Sequence, residues 1–486
     1  MRPGRPAEPV TTPGFLLAGV DVGTTRIKAG LVGPDGRDLG YASVPTRWRR
    51  LPTGGEAQPD DFLHSVRQVL AELLAQAPAG EIIGVGVTSM AETAILLDAG
   101  GRAIGPAVAW FDRRAAADHD QMVADLSAAE IGQRTGLTRG QIPTLPTLHW
   151  LAGQYPGLRR ARQALAVAEW VVYGLGGAAA AEASLASRTG ALSVPGRQWW
   201  PEAVRWAGLP DLVFPGLRAA GTAWGTVRTA APGLDRLAGA TLTVAGHDHV
   251  VASVGSGVTR SRQATDSCGT AEALIRPLPA GPTPDPAAGL PDGISTGWHV
   301  LPGYYCLLSG LRLGIDLIPL LDQLGAPATR GRTRLDEPVL ALLDGRLAVQ
   351  DMTPEARAWH TALRGCVDRA AQSFGRLERL GGPIAEVRVS GGWAANPVLR
   401  RLKAASVPGL VYPDVAEAGI RGAALMAGLA AGAYPSASAF PPPPLGPPPP
   451  LGPPLDAGPA GTAEAGIAEA GIAGEEPADE PRRPGR

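Results

Sequence analysis

The sequence predicts an α/β protein of two alike lobes with a cleft between them. Three observations carry this. The chain opens on three apolar strands, then a helix, then another strand. A second strand–turn–strand opening recurs midway along. A later strand runs into a pair of glycines that begins a helix. Period-two and period-3.6 apolar patterns alternating in this way are the mark of layered α/β domains.

The elements follow in order. "FLLAGVDVG", "IKAGLVG" and "DLGYASVP" read as successive strands, with turns at Thr24–Thr25 and "PDGR". "DDFLHSVRQVLAELLAQA" puts Phe62, Val66, Val69, Leu70 and Leu73 on one helical face. "IIGVGVTS" is a buried strand. At 263–278, "QATDSCGTAEALIRPL" repeats the opening theme: Asp266-Ser-Cys-Gly-Thr stands beside Asp21-Val-Gly-Thr-Thr. A helix around "RAWHTALRGCVDRAAQSFGRLERL", the strand "AEVRVS" and the turn "GGWAAN" complete the second half. Residues 1–13 are expected to be a disordered arm, 14–257 a first domain and 258–435 a second. From Ser436 the composition collapses into repeated "PPPPLG" and "AEAGI", so 436–486 is expected to be a disordered tail, extended where proline dominates. Its partner, if it has one, is unknown.

Bulk composition narrows the function. The 486 residues are 45% hydrophobic and 18% charged, with a formal net charge of -1, which disfavours nucleic acid as partner. Three cysteines without a CxxC make neither a disulfide framework nor a zinc ribbon. The basic N-terminus has no apolar run, and "GIRGAALMAGLAAGAY" is too short to span a bilayer, so a cytoplasmic protein with no membrane contact is expected. Only Lys28 and Lys403 break an otherwise all-arginine usage, which reads as codon bias.

Three short elements point to polyphosphate. In "DVGTTRIK", Gly23 lets a phosphate approach the backbone, Thr24 and Thr25 offer hydroxyls, and Lys28 offers charge. Asp21 would face the phosphates through a hydrated Mg2+. In "DSCGTAE", Ser267, Gly269 and Thr270 would grip the other side. In "VSGGWAANPVL", Gly391 and Gly392 admit a flat ligand and Asn396-Pro397 starts a helix, so this is a candidate adenosine pocket. No Walker motif competes. Taken singly, each is also an ordinary turn.

The stretch "GHDHVV" at 246–251 raises a different question. His247 and His249 could flank a metal, but a helix starting near Asp248 would not aim residues two apart at one point. An aspartate in the first helical turn faces the positive end of the dipole, a favourable place for a carboxylate. By itself the pattern leaves Asp248 as helix cap or catalytic base. His247 and His249 contact hydroxyls of an acceptor or Asp248, or only pack, with packing favoured for His249. "AWFDRRA" offers Trp110, Asp112 and Arg113 as an aromatic face with charged hydrogen-bonding groups, and Glu92 follows a strand's carboxyl end. Such a set suits a sugar. Arg188 in "ASRTG" is expected to be structural.

Taken in order, these elements resemble the FGGY family of carbohydrate kinases across about residues 15–435. "GGEAQPDD", "TSMAETAILLDAGGRAIGPAVAWFDRRA", "EASLASRTGALS", "AGHDHVVASVGSG" and "EAGIRGAALMAG" add to the likeness. The resemblance implies two actin-like, ribonuclease-H-like ATPase domains, ATP and Mg2+ as cofactors, and Asp248 as the base. It implies sugar contacts from Glu92, Asp112 and Arg113. The wording "SMAE" and "GHDH" is closest to the L-fuculose and xylulose kinase branches. Two departures stand out: Trp393 where many members have a third glycine, and Ser89-Met90-Ala91-Glu92 where many xylulose kinases have Gln-Met-His-Gly. The expected function is ATP-dependent phosphorylation of a ketose or related sugar. An actin-like ATPase acting on a protein partner, and a non-catalytic sugar-responsive binder, are the alternatives. A homodimer is compatible with all three.

Overall fold

The computed structural model describes residues 14–138, 142–228, 231–281, 290–328 and 331–446. The expected arm, 1–13, and the tail beyond 446 lie outside the described residues.

Strand β1 (Leu16–Val22) is the centre of the first lobe. It pairs antiparallel with β2 (Arg26–Val32), which pairs antiparallel with β3 (Asp38–Pro45). On its other side β1 runs parallel to β4 (Ile82–Ser89). Beyond β4 come the edge strand β5 (Gly225–Thr226) and, between them, β6 (Thr241–His247), giving the order β5-β6-β4-β1-β2-β3. Helix α1 (Pro59–Ala75) covers one face. Proline opens it, Asp60 and Asp61 favour its positive end, and Phe62, Val66, Val69, Leu70 and Leu73 are buried as their spacing predicts.

The second lobe is built round a similar core of strands. β7 (Gln263–Cys268) pairs antiparallel with β8 (Glu272–Pro279); β8 pairs with β10 (Tyr304–Leu311), which pairs with β9 (Ile294–Trp298). On its other side β7 runs parallel to β11 (Glu386–Ser390), which is parallel to β12 (Leu410–Val411). The order is β9-β10-β8-β7-β11-β12, so β7, β8 and β11 stand to one another as β1, β2 and β4 do, while β9 is an added edge strand and β5 of the first sheet has no counterpart.

Helix α2 (Asp248–Gly255) links the two sheets. Its Val250, Val251 and Val254 join Ile275 and Cys306 of the second sheet in an apolar floor beneath the cleft. Helix α3 (Pro354–Gly381), capped by Thr353, buries Trp359, Leu363, Val367, Phe374 and Leu377 against the second sheet. Helix α4 (Pro397–Ser406) follows the Gly391–Gly392 turn. Helix α5 (Ala418–Ala430) returns to the first lobe, although it belongs to the expected second domain. It lies flush on β1 and β4: a Cβ at Gly19 would be 2.1 Å from Ile420 O, and one at Gly86 would be 2.0 Å from Ala423 O. Only glycines in the strands permit that approach, and the helix's own Gly422 permits its approach to α2, where a Cβ would lie 2.1 Å from Val251 O.

Two features depart from the sequence reading. Residues between β4 and β5 build a separate apolar core, with Leu96, Leu145, Leu148, Leu151, Trp200 and Phe214, so the first lobe carries a sub-core of its own. The tail also starts later than Ser436. Arg421, 1% exposed, donates to Gly36 O, Gly255 O and Pro441 O, and Asp414 N and Gly446 N bond the strap to Pro444 O and Tyr412 O. A buried guanidinium needs acceptors, and the proline segment supplies one. No described helix is long and apolar enough to cross a membrane.

Candidate active site

Strand register brings the site together. Val22 of β1 aligns with Ser89 of β4, and Ser89 aligns with His247 of β6. The carboxyl ends of three parallel strands therefore present the 23–25 turn, the Glu92 segment and Asp248 along one edge. This is where open α/β sheets gather ligands.

The 23–25 turn is held from behind. Trp48 Nε1 donates to Thr24 O at 2.7 Å, Thr46 Oγ1 to Gly23 O at 2.7 Å, and Thr46 N to Thr25 O at 3.0 Å. Trp110, 49% exposed, donates its Nε1 to Thr24 Oγ1 at 2.8 Å. The indole thus ties the 110–113 loop to the 23–25 turn. Lys28 does not project freely: its Nζ bonds Glu417 Oε2 at 2.7 Å, a partner the sequence reading missed. Asp21 has a buried Oδ1 with no hydrogen-bond partner. Burial and the Asp248 carboxylate push its pKa up to about 7. A buried, unpartnered Asp21 oxygen that feels the Asp248 charge fits a divalent cation; the donors are hard oxygens, as Mg2+ requires.

Asp248 opens α2, one-quarter exposed at its side chain. Its Oδ1 accepts from His249 N at 2.7 Å, and His247 Nε2 lies 3.2 Å from the same oxygen. Burial, then His249 and Arg188, drive the His247 pKa well below its ordinary value, so the ring is neutral. His247 N donates to Ser184 Oγ at 2.9 Å. The two imidazoles meet edge to face, 5.6 Å apart.

On the acceptor side, Glu92 adopts a left-handed backbone, φ 60, one of three non-glycine residues among those described to do so. Strain of this kind concentrates where function fixes a side chain. Its Oε1 accepts from Arg188 Nε at 2.7 Å. Arg188, expected to be structural, thus stands beside both Glu92 and the His247 pocket; its signal was the "ASRTG" stretch itself. Asp112 is placed differently from expectation. It is 4% exposed and accepts from Gly55 N at 2.8 Å and Arg114 Nη2 at 2.7 Å. Burial opposes its ionisation, but Arg114 overcomes this and holds the pKa below the usual range. Asp112 is therefore spent on anchoring its loop to the 54–56 strand. Arg113 is exposed to solvent.

In the second lobe, Ser267 aligns with Ser390, so the two glycine turns emerge side by side. Gly269, Thr270, Gly331, Gly392 and Trp393 line one cavity of ≈ 470 Å³, within the range of nucleotide-sized pockets. Trp393 is 6% exposed and packs near Trp359, ring centroids 6.2 Å apart, so its ring belongs to the lobe core. Asn396 is fully buried. Its Oδ1 caps α4 at Leu399 N, and its Nδ2 bonds Gly331 O and Asp336 Oδ1. It shapes the pocket from beneath and does not reach into it.

Two six-stranded sheets that share this central arrangement, joined by a helix, have the two-domain actin-like ATPase fold. Solved structures share it. A xylulose kinase from Rhodospirillum rubrum superposes with a TM-score of 0.78 at 20% identity, covering 89% of this chain and 93% of that one. A Plasmodium falciparum glycerol kinase with ADP gives 0.74 at 16%, covering 88% and 91%. Residues 16–255 match the model of the FGGY family of carbohydrate kinases, N-terminal domain. The chain is 28% identical over 469 residues to a glycerol kinase of Gloeobacter violaceus, covering 86% of this chain and 88% of that protein. It is 26% identical over 475 residues to an autoinducer-2 kinase of Salmonella typhimurium, covering 88% of each. The chain belongs to the FGGY family of carbohydrate kinases, and so to the phosphotransferases with an alcohol group as acceptor. Kinases of this family use ATP.

Proposed function

We propose that this kinase transfers the γ-phosphate of ATP to a hydroxyl of a small ketose or polyol, xylulose- or fuculose-like, with Asp248 as the base. The observation that carries the reading is that Asp21, near the end of β1, and Asp248, directly after β6, come to the same sheet edge, with an Asp21 oxygen left unpartnered. Phosphoryl transfer needs positioning and charge neutralisation more than covalent help. Asp21 would hold Mg2+, which would supply neutralising charge to the phosphates. The 23–25 turn offers amides and hydroxyls to the phosphate chain, and Lys28 reaches it by leaving Glu417. Neutral His247 orients the Asp248 carboxylate, which takes the hydroxyl proton. Arg188 and Glu92 form a donor–acceptor pair for neighbouring hydroxyls of the acceptor. Closing the lobes over both ligands excludes water, which would otherwise consume ATP. The three cysteines are free and buried, which suits the reducing cytoplasm where we place the enzyme.

The test is ADP release with a panel of acceptors: xylulose, fuculose, other ketoses, glycerol and further polyols. One of these is expected to raise turnover well above the acceptor-free rate. No acceptor response, with ATP hydrolysis stimulated by a protein instead, would favour an actin-like machine. Binding of both ligands with zero turnover would identify a non-catalytic binder.

A further inference from the structure

Beneath the second glycine–threonine turn lies a group of charges that the reaction above does not use. Asp266 of β7, Glu272 of β8 and Lys403 of α4 are at most 1% exposed. The Lys403 ammonium bonds both carboxylates and lies 3.2 Å from Cys268 Sγ. Cys268 Sγ is 3.2 Å from Asp266 Oδ1. Burial works against the Lys403 charge, but Asp266, Cys268 and Glu272 more than offset it and raise its pKa, while burial and Asp266 push Glu272 up to about 8, so that Lys403 and Asp266 are the charged pair. The cluster is therefore ionic, and burying it is costly unless the geometry is closely matched.

Its position gives it a use. Cys268 and Glu272 face each other in register at the mouth of the β7–β8 turn. Lys403 lies in α4, the helix that starts directly after the Gly391–Gly392 turn. One ammonium thus ties the helix leaving one turn to both strands carrying the other. The two backbones also touch, since a Cβ on Gly391 would lie 2.5 Å from Cys268 O. The tips of both turns line the same cavity. A compact, rotatable ammonium suits this narrow gap better than a planar guanidinium. That gives a structural reason for lysine here in a chain whose other basic residues, Lys28 apart, are arginine.

We propose that Lys403 is a positioning residue for the nucleotide: it clamps the 267–270 and 391–393 turns at the spacing a bound nucleotide bridges. This rests on reading that cavity as the ATP site. The experiment is calorimetric titration of wild type, Lys403→Met and Glu272→Gln with a non-hydrolysable ATP analogue and separately with the acceptor. Amide exchange of the unliganded proteins is followed in parallel. Glu272→Gln keeps a balanced Lys403–Asp266 pair and serves if Lys403→Met does not fold. The expected result is nucleotide affinity weakened roughly tenfold or more, acceptor affinity unchanged, and faster exchange confined to the two turns. Folded variants with wild-type nucleotide affinity and unchanged exchange at the turns overturn the proposal. A wild-type protein that binds no nucleotide would instead remove the reading of the cavity itself, and the clamp with it.

Discussion

The two strand–turn modules have one wiring and opposite electrostatics. In the first lobe, Asp21 keeps an oxygen without a partner, and the nearest lysine is engaged by Glu417 across the cleft edge. In the second, Asp266 is neutralised from below by Lys403. On the function proposed above, the first module holds a carboxylate for a cation and a reacting hydroxyl. The second spends its charge on rigidity and offers the ligand backbone and small side chains. On that proposal, a duplicated scaffold is divided into a chemical half and a holding half.

The sharpest way to break that division is Asp248→Asn. It is expected to lower kcat by roughly 10²–10⁴ while ATP-analogue affinity stays, the usual worth of a general base. Single-turnover kinetics with unchanged nucleotide titration checks it; retained transfer would remove Asp248 as base. Next, Arg188→Ala is expected to raise the acceptor KM roughly tenfold to a hundredfold, the value of a charged hydrogen bond, and to leave nucleotide affinity alone. Steady-state kinetics varying each substrate separates the two.

The two aspartates themselves give the cleanest contrast. Asp266→Asn takes a charge from a buried pair and is expected to cost about 1.5–3 kcal/mol of stability. Asp21→Asn is expected to stabilise the metal-free protein. The folded form holds the Asp21 proton to about pH 7 while the ordinary value is 3.8, so stability falls as pH rises through that window. Thermal midpoints of Asp21→Asn and wild type should therefore converge near pH 4 and diverge by pH 8, with added Mg2+ closing the gap. Parallel melting curves at every pH would contradict this. The smallest effect concerns the strap: ending the chain after Pro435 leaves Arg421 short of one acceptor, at about 1 kcal/mol, whereas ending it after Gly446 changes nothing. Chemical denaturation of both truncations decides.

Much of the scaffold was legible in the chain. β1, β2, β3, α1, β4, the β7–β8 hairpin, α3, β11 and the start of α2 at Asp248 all follow from apolar period and turn chemistry, which are local. The rarity of lysine read as codon bias, and Lys28 as charge for a phosphate; the Glu417 partner of Lys28 and the Asp266 and Glu272 partners of Lys403 appear only in the fold. Partners distant in sequence were not readable. Nothing in "AWFDRRA" says that Asp112 turns inward to Gly55 and Arg114, or in "ASRTG" that Arg188 reaches Glu92.

Sequence by itself determined the element order, the duplicated openings and the residue types at each turn, because backbone preference and burial pattern act over a few residues. Tertiary structure alone decided which carboxylates are spent and which are left free. Hydrogen bonding and desolvation depend on neighbours that only folding supplies, as the opposite fates of Asp21 and Asp266 show.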